Sequence, residues 1–270
     1  MKIYGGLFVL LMSFSFAQAT TLLISDIDDT IKNAHVLDKS DAISNSIRTE
    51  NLVLGMNALY QATKRAQTDL KIFYVSNAPK AIMQGSHSDF LTQNKFPAGS
   101  LRLRDGLFQK DFKVTEIRKI LKKENPSSAI LVGDNGEKDI LVYEQIQREF
   151  PQIHFVIYIR QAYTILNPED TGTALRAGQA GFVTSLDLLL QFRQQGFVTA
   201  EDTVSFVKTF INVFSSEDQW GDTGTQAIPY WLDCRDFKWT ASDAEFGTTV
   251  GYVSAKNRIL HRCSIPAFED

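Results

Sequence analysis

The sequence predicts an α/β fold, a Rossmann-like open parallel sheet with helices on both faces. Three observations predict it. Strand-length apolar runs alternate with helix-spaced apolar patterns between residues 22 and 159. The strand runs are continuously apolar, as in Ala129-Ile130-Leu131-Val132, which marks strands buried on both faces. Residues able to do chemistry gather at the ends of those runs, where parallel sheets keep their working groups.

Taken in order, residues 1–19 read as a signal peptide. Lys2 gives a positive start, residues 3–16 are largely apolar, and Ala17-Gln18-Ala19 is a small-x-small cleavage site. The expectation is an exported chain, periplasmic or secreted. No run approaches the ~20 apolar residues of a transmembrane helix. The first strand then rises through Leu22-Leu23-Ile24-Ser25 and ends in Asp26-Ile27-Asp28-Asp29-Thr30. Period-two geometry sets Asp26 and Asp28 on one side, ~7 Å apart, where their charges repel. A hard divalent cation such as Mg²⁺ is the natural stabiliser of such a pair; an acidic loop after a buried strand is the alternative.

Residues 32–50 are rich in Asn, Ser and Asp and read as a small flap or insertion after the first strand. Leu52, Met56, Leu59, Tyr60 and Thr63 recur at helical spacing and lead to a second strand at 71–75, which ends in Ser76-Asn77-Ala78-Pro79. A helix over 81–91 and a turn at Phe96-Pro97-Ala98-Gly99 precede a short third strand over 100–105. Lys113 enters a helix marked by Val114, Ile117, Ile120 and Leu121. The strand at 129–132 runs into Gly133-Asp134-Asn135-Gly136-Glu137-Lys138-Asp139, then a helix over 140–150 and a strand over 155–159. Residues 161–181 read as irregular, and 184–192 as a helix. The main domain is expected over 20–195, with a small C-terminal extension over 196–270.

Composition sets bounds. Without Lys2, 27 basic residues face 31 acidic ones, which argues against a nucleic-acid surface. A 44% hydrophobic chain of this length buries one sizeable core. Cys234 and Cys263 form a disulfide in an oxidising compartment or remain free thiols; zinc is the weaker alternative, with only His261 nearby.

The order carboxylate pair (Asp26, Asp28), hydroxyl (Ser76), lysine (Lys113), carboxylate pair (Asp134, Asp139) resembles the haloacid dehalogenase superfamily of phosphohydrolases. The resemblance narrows to phosphatidate phosphatase catalytic domains of the actin-patch-protein type. It is carried by Asp26-Ile27-Asp28-Asp29-Thr30-Ile31-Lys32, Phe73-Tyr74-Val75-Ser76-Asn77-Ala78-Pro79, Phe90-Leu91 with Phe96-Pro97-Ala98-Gly99, Leu103-Arg104-Asp105, Leu131–Asp139 and Ile157-Tyr158-Ile159-Arg160. Ala78 and Asn135 depart from it, standing where that family more often has serine.

The resemblance implies a Mg²⁺-dependent phosphomonoesterase in which Asp26 is the nucleophile and Asp28 the general acid and base. Lys113 is implied as the cation that pairs Asp26 and phosphate, with Lys110 its competitor. Ser76 and Asn77 are implied to bind phosphate. Asp26, the Asp28 backbone carbonyl, Asp134 and Asp139 make up the implied metal site, Asp139 by orienting a metal water or the lysine, with Glu137 its rival. The substrate is a phosphatidate-like lipid phosphate, a soluble phosphomonoester or a phosphoprotein. A lipid would bring peripheral membrane contact and an apolar access surface around Phe90, Phe96 and Phe108. A non-catalytic phosphate- or metal-binding protein is the rival class, disfavoured by the intact Asp26/Asp28 pair. Lys32, Arg104 and Arg160 are candidate anion-steering cations or structural partners. His35 and His87 are expected at the surface.

Overall fold

The computed structural model describes residues 20–38, 45, 47–106, 109, 111–216 and 224–267. The expected leader at 1–19, Phe108 and Lys110 lie outside the described residues. Six strands, β1 (Thr21–Ser25), β2 (Lys71–Pro79), β3 (Ser100–Arg104), β4 (Ser128–Asp134), β5 (His154–Arg160) and β6 (Gln179–Phe182), form one sheet. Its order is β3-β2-β1-β4-β5-β6, and every pairing is parallel. The expected open parallel α/β sheet is therefore present. β6 was not expected: its Gln179-Ala180-Gly181-Phe182 is too short and mixed to show a period, and its pairing with β5 defines it.

The helices are α1 (Met56–Ala66), α2 (Lys80–Gln93), α3 (Phe112–Glu124), α4 (Asp139–Glu149), α5 (Ser185–Gln194), α6 (Ala200–Ser215) and α7 (Tyr252–Arg262). Strand alternation divides the core in two. Leu22, Ile24, Phe73, Val75, Leu131 and Ile157 pack on one face with Ile117 and Ile120 of α3 and Ile140 and Ile146 of α4. Leu23, Ile72, Tyr74, Ile130, Val132 and Tyr158 face the other way. There they meet Leu59 and Tyr60 of α1, Leu189 and Phe192 of α5, and Phe210 of α6. At ~1.5–3 kcal/mol per large apolar side chain, burial on both faces is what holds five-residue β1 at the sheet centre.

Described residues of the C-terminal stretch join this second layer. Trp231, Leu232, Phe246, Tyr252 and Ile259 belong to the same apolar cluster as Leu23 and Tyr60. Thr199 caps α6 by accepting from Asp202 N–H (3.0 Å), and a reciprocal capping box links Thr184 and Asp187 at α5. Cys234 and Cys263 are bonded across 29 positions of sequence, which ties the end of α7 to the segment before it.

A loop of that length predicts that the Cys234→Ser/Cys263→Ser pair loses about 3–4 kcal/mol of unfolding free energy. Urea titration with and without reductant checks it. A wild-type midpoint indifferent to reductant would contradict the assignment of any stabilising role to this bond.

Candidate active site

β1 ends at Ser25, but the ladder reaches one residue further: Asp26 N–H donates to the Val132 carbonyl of β4 (2.9 Å). That bond aims the Asp26 side chain from the centre of the sheet. The chain then folds back sharply. The Ile27 carbonyl accepts from Thr30, Ile31 and Lys32 N–H at 3.3, 2.9 and 3.0 Å, and Asp29 takes a left-handed φ of 54°. A non-glycine residue in that region needs support. The Asp29 carboxylate has it from Ala34, His35 and Val36 N–H (2.8, 2.7 and 2.7 Å) and from Tyr163 O–H (2.5 Å). The turn is thereby locked, and residues 34–36 are pinned to it.

Asp26 is buried, and its Oδ1 accepts from Lys113 Nζ at 2.7 Å, while Thr30 Oγ1 donates to Oδ2 at 3.2 Å. Lys113 sits in the first turn of α3 and also donates to Asp139, the first residue of α4. Asp139 Oδ2 in turn accepts from Asp134 N–H (3.4 Å). Gly133 makes this possible: a Cβ there would stand 2.3 Å from Asp139 Oδ2. Asp134 Oδ1 accepts from Gly136 and Glu137 N–H at 2.7 and 3.2 Å, and its buried Oδ2 has no partner among the described residues.

Charge does not balance here. Burial foremost, then Asp139, Asp28 and Glu137, push Asp26 well above the usual carboxylate range against the pull of Lys113. Burial, Asp139, Asp26 and Asp29 do the same to Asp134, and burial raises Asp139. Lys113 moves the other way from an ordinary buried lysine. Burial lowers it, but Asp139 and Asp26 outweigh burial and hold it protonated. One ammonium cannot neutralise three buried carboxylates. Asp26, Asp134 and Asp139 each offer an oxygen, all within 4.8 Å of one another, and Asp134 Oδ2 is orphaned. An all-oxygen, net-negative cluster of this kind fits a hard divalent cation.

In front of the cluster opens a cleft of about 570 Å³, lined by Asp26, Asp28, Ser76, Asn77, Arg104 and Glu137, among others. Ser76 Oγ donates to Asp28 Oδ2 (3.3 Å) and accepts from Ala78 N–H (3.0 Å); Asn77 Nδ2 donates to Glu137 Oε2 (3.0 Å). Burial raises Asp28, but His87, Lys32 and Lys113 together leave its carboxyl below the ordinary range.

The structure thus brings Asp26, Asp28, Ser76 and Asn77 to the cleft wall, with Lys113, Asp134 and Asp139 buried behind it. Of the three extra cations, only Arg104 lines the cleft. Lys32 is buried with its ammonium 5.4 Å from the Phe90 ring centre. Arg160 is buried as a brace, donating to the Asp29 carbonyl (3.1 Å), Asn33 Oδ1 (2.9 Å) and the Val183 carbonyl (3.2 Å). Asn135 accepts from Ala162 and Tyr163 N–H at 3.0 and 3.1 Å, so its place in the acidic loop is structural. Phe90 and Phe96 are core residues, which removes them as an access surface.

His87 corrects the sequence reading outright. It is wholly buried, with Nε2 3.2 Å from Asp28 Oδ2. Its burial was legible: Met83, His87 and Phe90 stand four and three apart, on one face of α2. His35 is half-buried and stacks on Trp231, ring centres 4.7 Å apart.

The sequence model of the family described as "Phosphatidate phosphatase APP1, catalytic domain" matches residues 21–161. Among curated relatives, phosphatidate phosphatase APP1 of Saccharomyces cerevisiae is 32% identical over 150 residues, covering 51% of this chain and 25% of its own. An uncharacterized protein of Schizosaccharomyces pombe is 28% identical over 153 residues, covering 51% of this chain and 24% of its own. The chain spans about a quarter of the length of these relatives. A solved structure titled "Structure of Pnkp1/Rnl/Hen1 complex" overlaps 51% of this chain and 44% of its own, with a TM-score of 0.37 and 17% identity, too loose a likeness to bear on the site.

The charge imbalance sets a stability test. Asp26, Asp134 and Asp139 have raised folded-state values, so the metal-free fold binds more protons than the unfolded chain. Their contribution is therefore complete below the ordinary value near ~4 and is lost as pH rises through the raised values. In EDTA, urea midpoints are expected to fall from pH 5 to pH 8, less steeply in Asp134→Asn, and added Mg²⁺ should restore the pH 8 midpoint. A midpoint at pH 8 that ignores both Mg²⁺ and Asp134→Asn would rule out the cluster as a cation site.

Proposed function

The chain belongs to the family of phosphatidate phosphatase APP1 catalytic domains, and from that premise we propose that it is a phosphoric monoester hydrolase working through an aspartyl-phosphate on Asp26. The observation that carries this reading is the Asp26–Lys113 pair (2.7 Å), set at the floor of a cleft with Asp28 two residues along. A phosphate monoester resists attack because its anionic oxygens repel a nucleophile. A Mg²⁺ ion held by Asp26, the Asp28 backbone carbonyl and Asp134 would supply the charge that offsets that repulsion.

The remaining work belongs to the chain's own groups. Lys113 fixes the Asp26 carboxylate and draws phosphate oxygens toward it. Ser76 Oγ and the Asn77 side chain donate to those oxygens. A carboxylate oxygen of Asp26 attacks phosphorus in line while the bond to the ester oxygen breaks. Asp28, whose neighbours hold its carboxyl below the ordinary range, takes a proton from solvent as the phosphate dianion enters and gives that proton to the departing oxygen. Its carboxylate then takes a proton from water, which attacks the acyl phosphate and releases inorganic phosphate and free Asp26. Asp139 works at one remove, holding Lys113.

A phosphatidate-like lipid is the substrate suggested by the name of the yeast relative. No helix among the described residues is long and apolar enough to cross a membrane; a lipid would be met at the bilayer surface as a peripheral contact. A polar lining favours the second reading, a water-soluble phosphomonoester or a phosphoprotein: Arg104, Gln109 and Lys138 share the rim with only Ala78 and Pro79 as apolar side chains. Export to an oxidising compartment is supported by the leader pattern at 1–19 and the Cys234–Cys263 bond.

Hydrolysis of a phosphomonoester panel, phosphatidate in mixed micelles included, is the test. Asp26→Asn should abolish turnover, Asp28→Asn should lower it by ~10²–10⁴-fold, and EDTA should silence the wild type until Mg²⁺ is returned. Turnover that persists in Asp26→Asn or ignores EDTA would sink the proposal.

A further inference from the structure

Asp28 is held at one oxygen only. Ser76 Oγ donates to Oδ2 at 3.3 Å, and His87 Nε2 approaches the same oxygen at 3.2 Å, while the buried Oδ1 has no partner among the described residues. Under the function proposed above, on which this inference rests, Ser76 cannot stay there. Its hydroxyl is needed by a phosphate oxygen, and once it turns, the imidazole is the remaining contact at Oδ2.

His87 is well made for that task. It lies on the inner face of α2 between Met83 and Phe90, wholly buried. The 3.2 Å approach has charge-pair distance without hydrogen-bond alignment, and neither ring nitrogen has an aligned partner among the described residues. A buried polar ring so placed gains by turning onto the Asp28 carboxylate beside it. Catalytic contacts that are loose in an empty site commonly tighten when substrate binds.

We propose that His87 is a positioning residue for Asp28: its Nε2–H holds Oδ2 when Ser76 turns to phosphate, and so keeps the carboxyl aimed at the departing ester oxygen. His87 itself touches neither substrate nor phosphorus. What it governs is proton delivery, which matters little for a leaving group that is stable as an anion and greatly for an alkoxide.

Leaving-group dependence therefore reads it out. Measure kcat/KM, which reports events up to departure of the leaving group, for 4-nitrophenyl phosphate, phenyl phosphate and glycerol phosphate. Compare wild type with His87→Met, which fills the buried site without a donor, and His87→Gln, which keeps one. His87→Met is expected to lose about tenfold or less on the nitrophenyl ester and about a hundredfold on the alkyl ester, with His87→Gln recovering most of the alkyl loss. Should His87→Met melt below the assay temperature, His87→Asn, whose amide is too short to reach Oδ2, replaces it. Equal losses across the three esters, or an alkyl loss that Gln does not repair, would overturn the positioning role while leaving the phosphatase reading intact. Activity surviving in Asp26→Asn would instead bring down that reading, independently of His87.

Discussion

A single buried ammonium shared by two carboxylates governs the arrangement of this site. Lys113 reaches Asp26 at the end of β1 and Asp139 at the start of α4. Three elements that are remote in sequence, β1, α3 and α4, must meet there for any one of those charges to be tolerated. The neighbouring sequence answers that demand. Gly133 leaves the room a side chain would have filled, so Asp139 can press against the backbone of β4. The negative charge that Lys113 alone does not offset lies on Asp26, Asp134 and Asp139, a cluster that could hold a cation.

Much of this was legible in the sequence. Continuously apolar strands separated by amphipathic helices gave the parallel sheet, because burial on both faces leaves no alternation to see. The acidic motifs and Lys113 stood out because their residue types are rare at strand ends and helix starts without cause. Other parts were illegible for physical reasons. β6 has four residues and exists only through its pairing with β5. Arg160 reads in the sequence as an anion-steering cation or a structural partner alike; the Asp29 and Val183 carbonyls that make it the latter are announced by no local pattern. His87 is different, since the helical spacing with Met83 and Phe90 was there to be read. The helical period, not the polarity of the imidazole, decides its burial.

The C-terminal segment is a working part of the second layer. Its Trp231, Phe246 and Ile259 share a cluster with β1 and α1, and Trp231 stacks against His35 and Tyr163 beside the turn that Asp29 anchors. The backbone is joined as well. Leu54 N–H donates to the Gln226 carbonyl (2.9 Å), and Gln226 N–H donates to the Leu52 carbonyl (3.0 Å). The stretch at 52–54, between the flap and α1, is thus clamped by a residue more than 170 positions further along the chain.

That clamp has a temporal consequence. Asn33 Nδ2 donates to the Gln226 carbonyl (3.1 Å) across 193 positions of sequence, so the turn bearing Asp26 and Asp28 acquires its full set of contacts only when residue 226 is in place. Contacts this distant form late, after the loop-closure entropy of the intervening chain has been overcome. A chain still being synthesised can build β1 and β2 but not the finished turn. The turn is therefore finished only once the segment around residue 226 has docked, well after β1 and β2 have been synthesised.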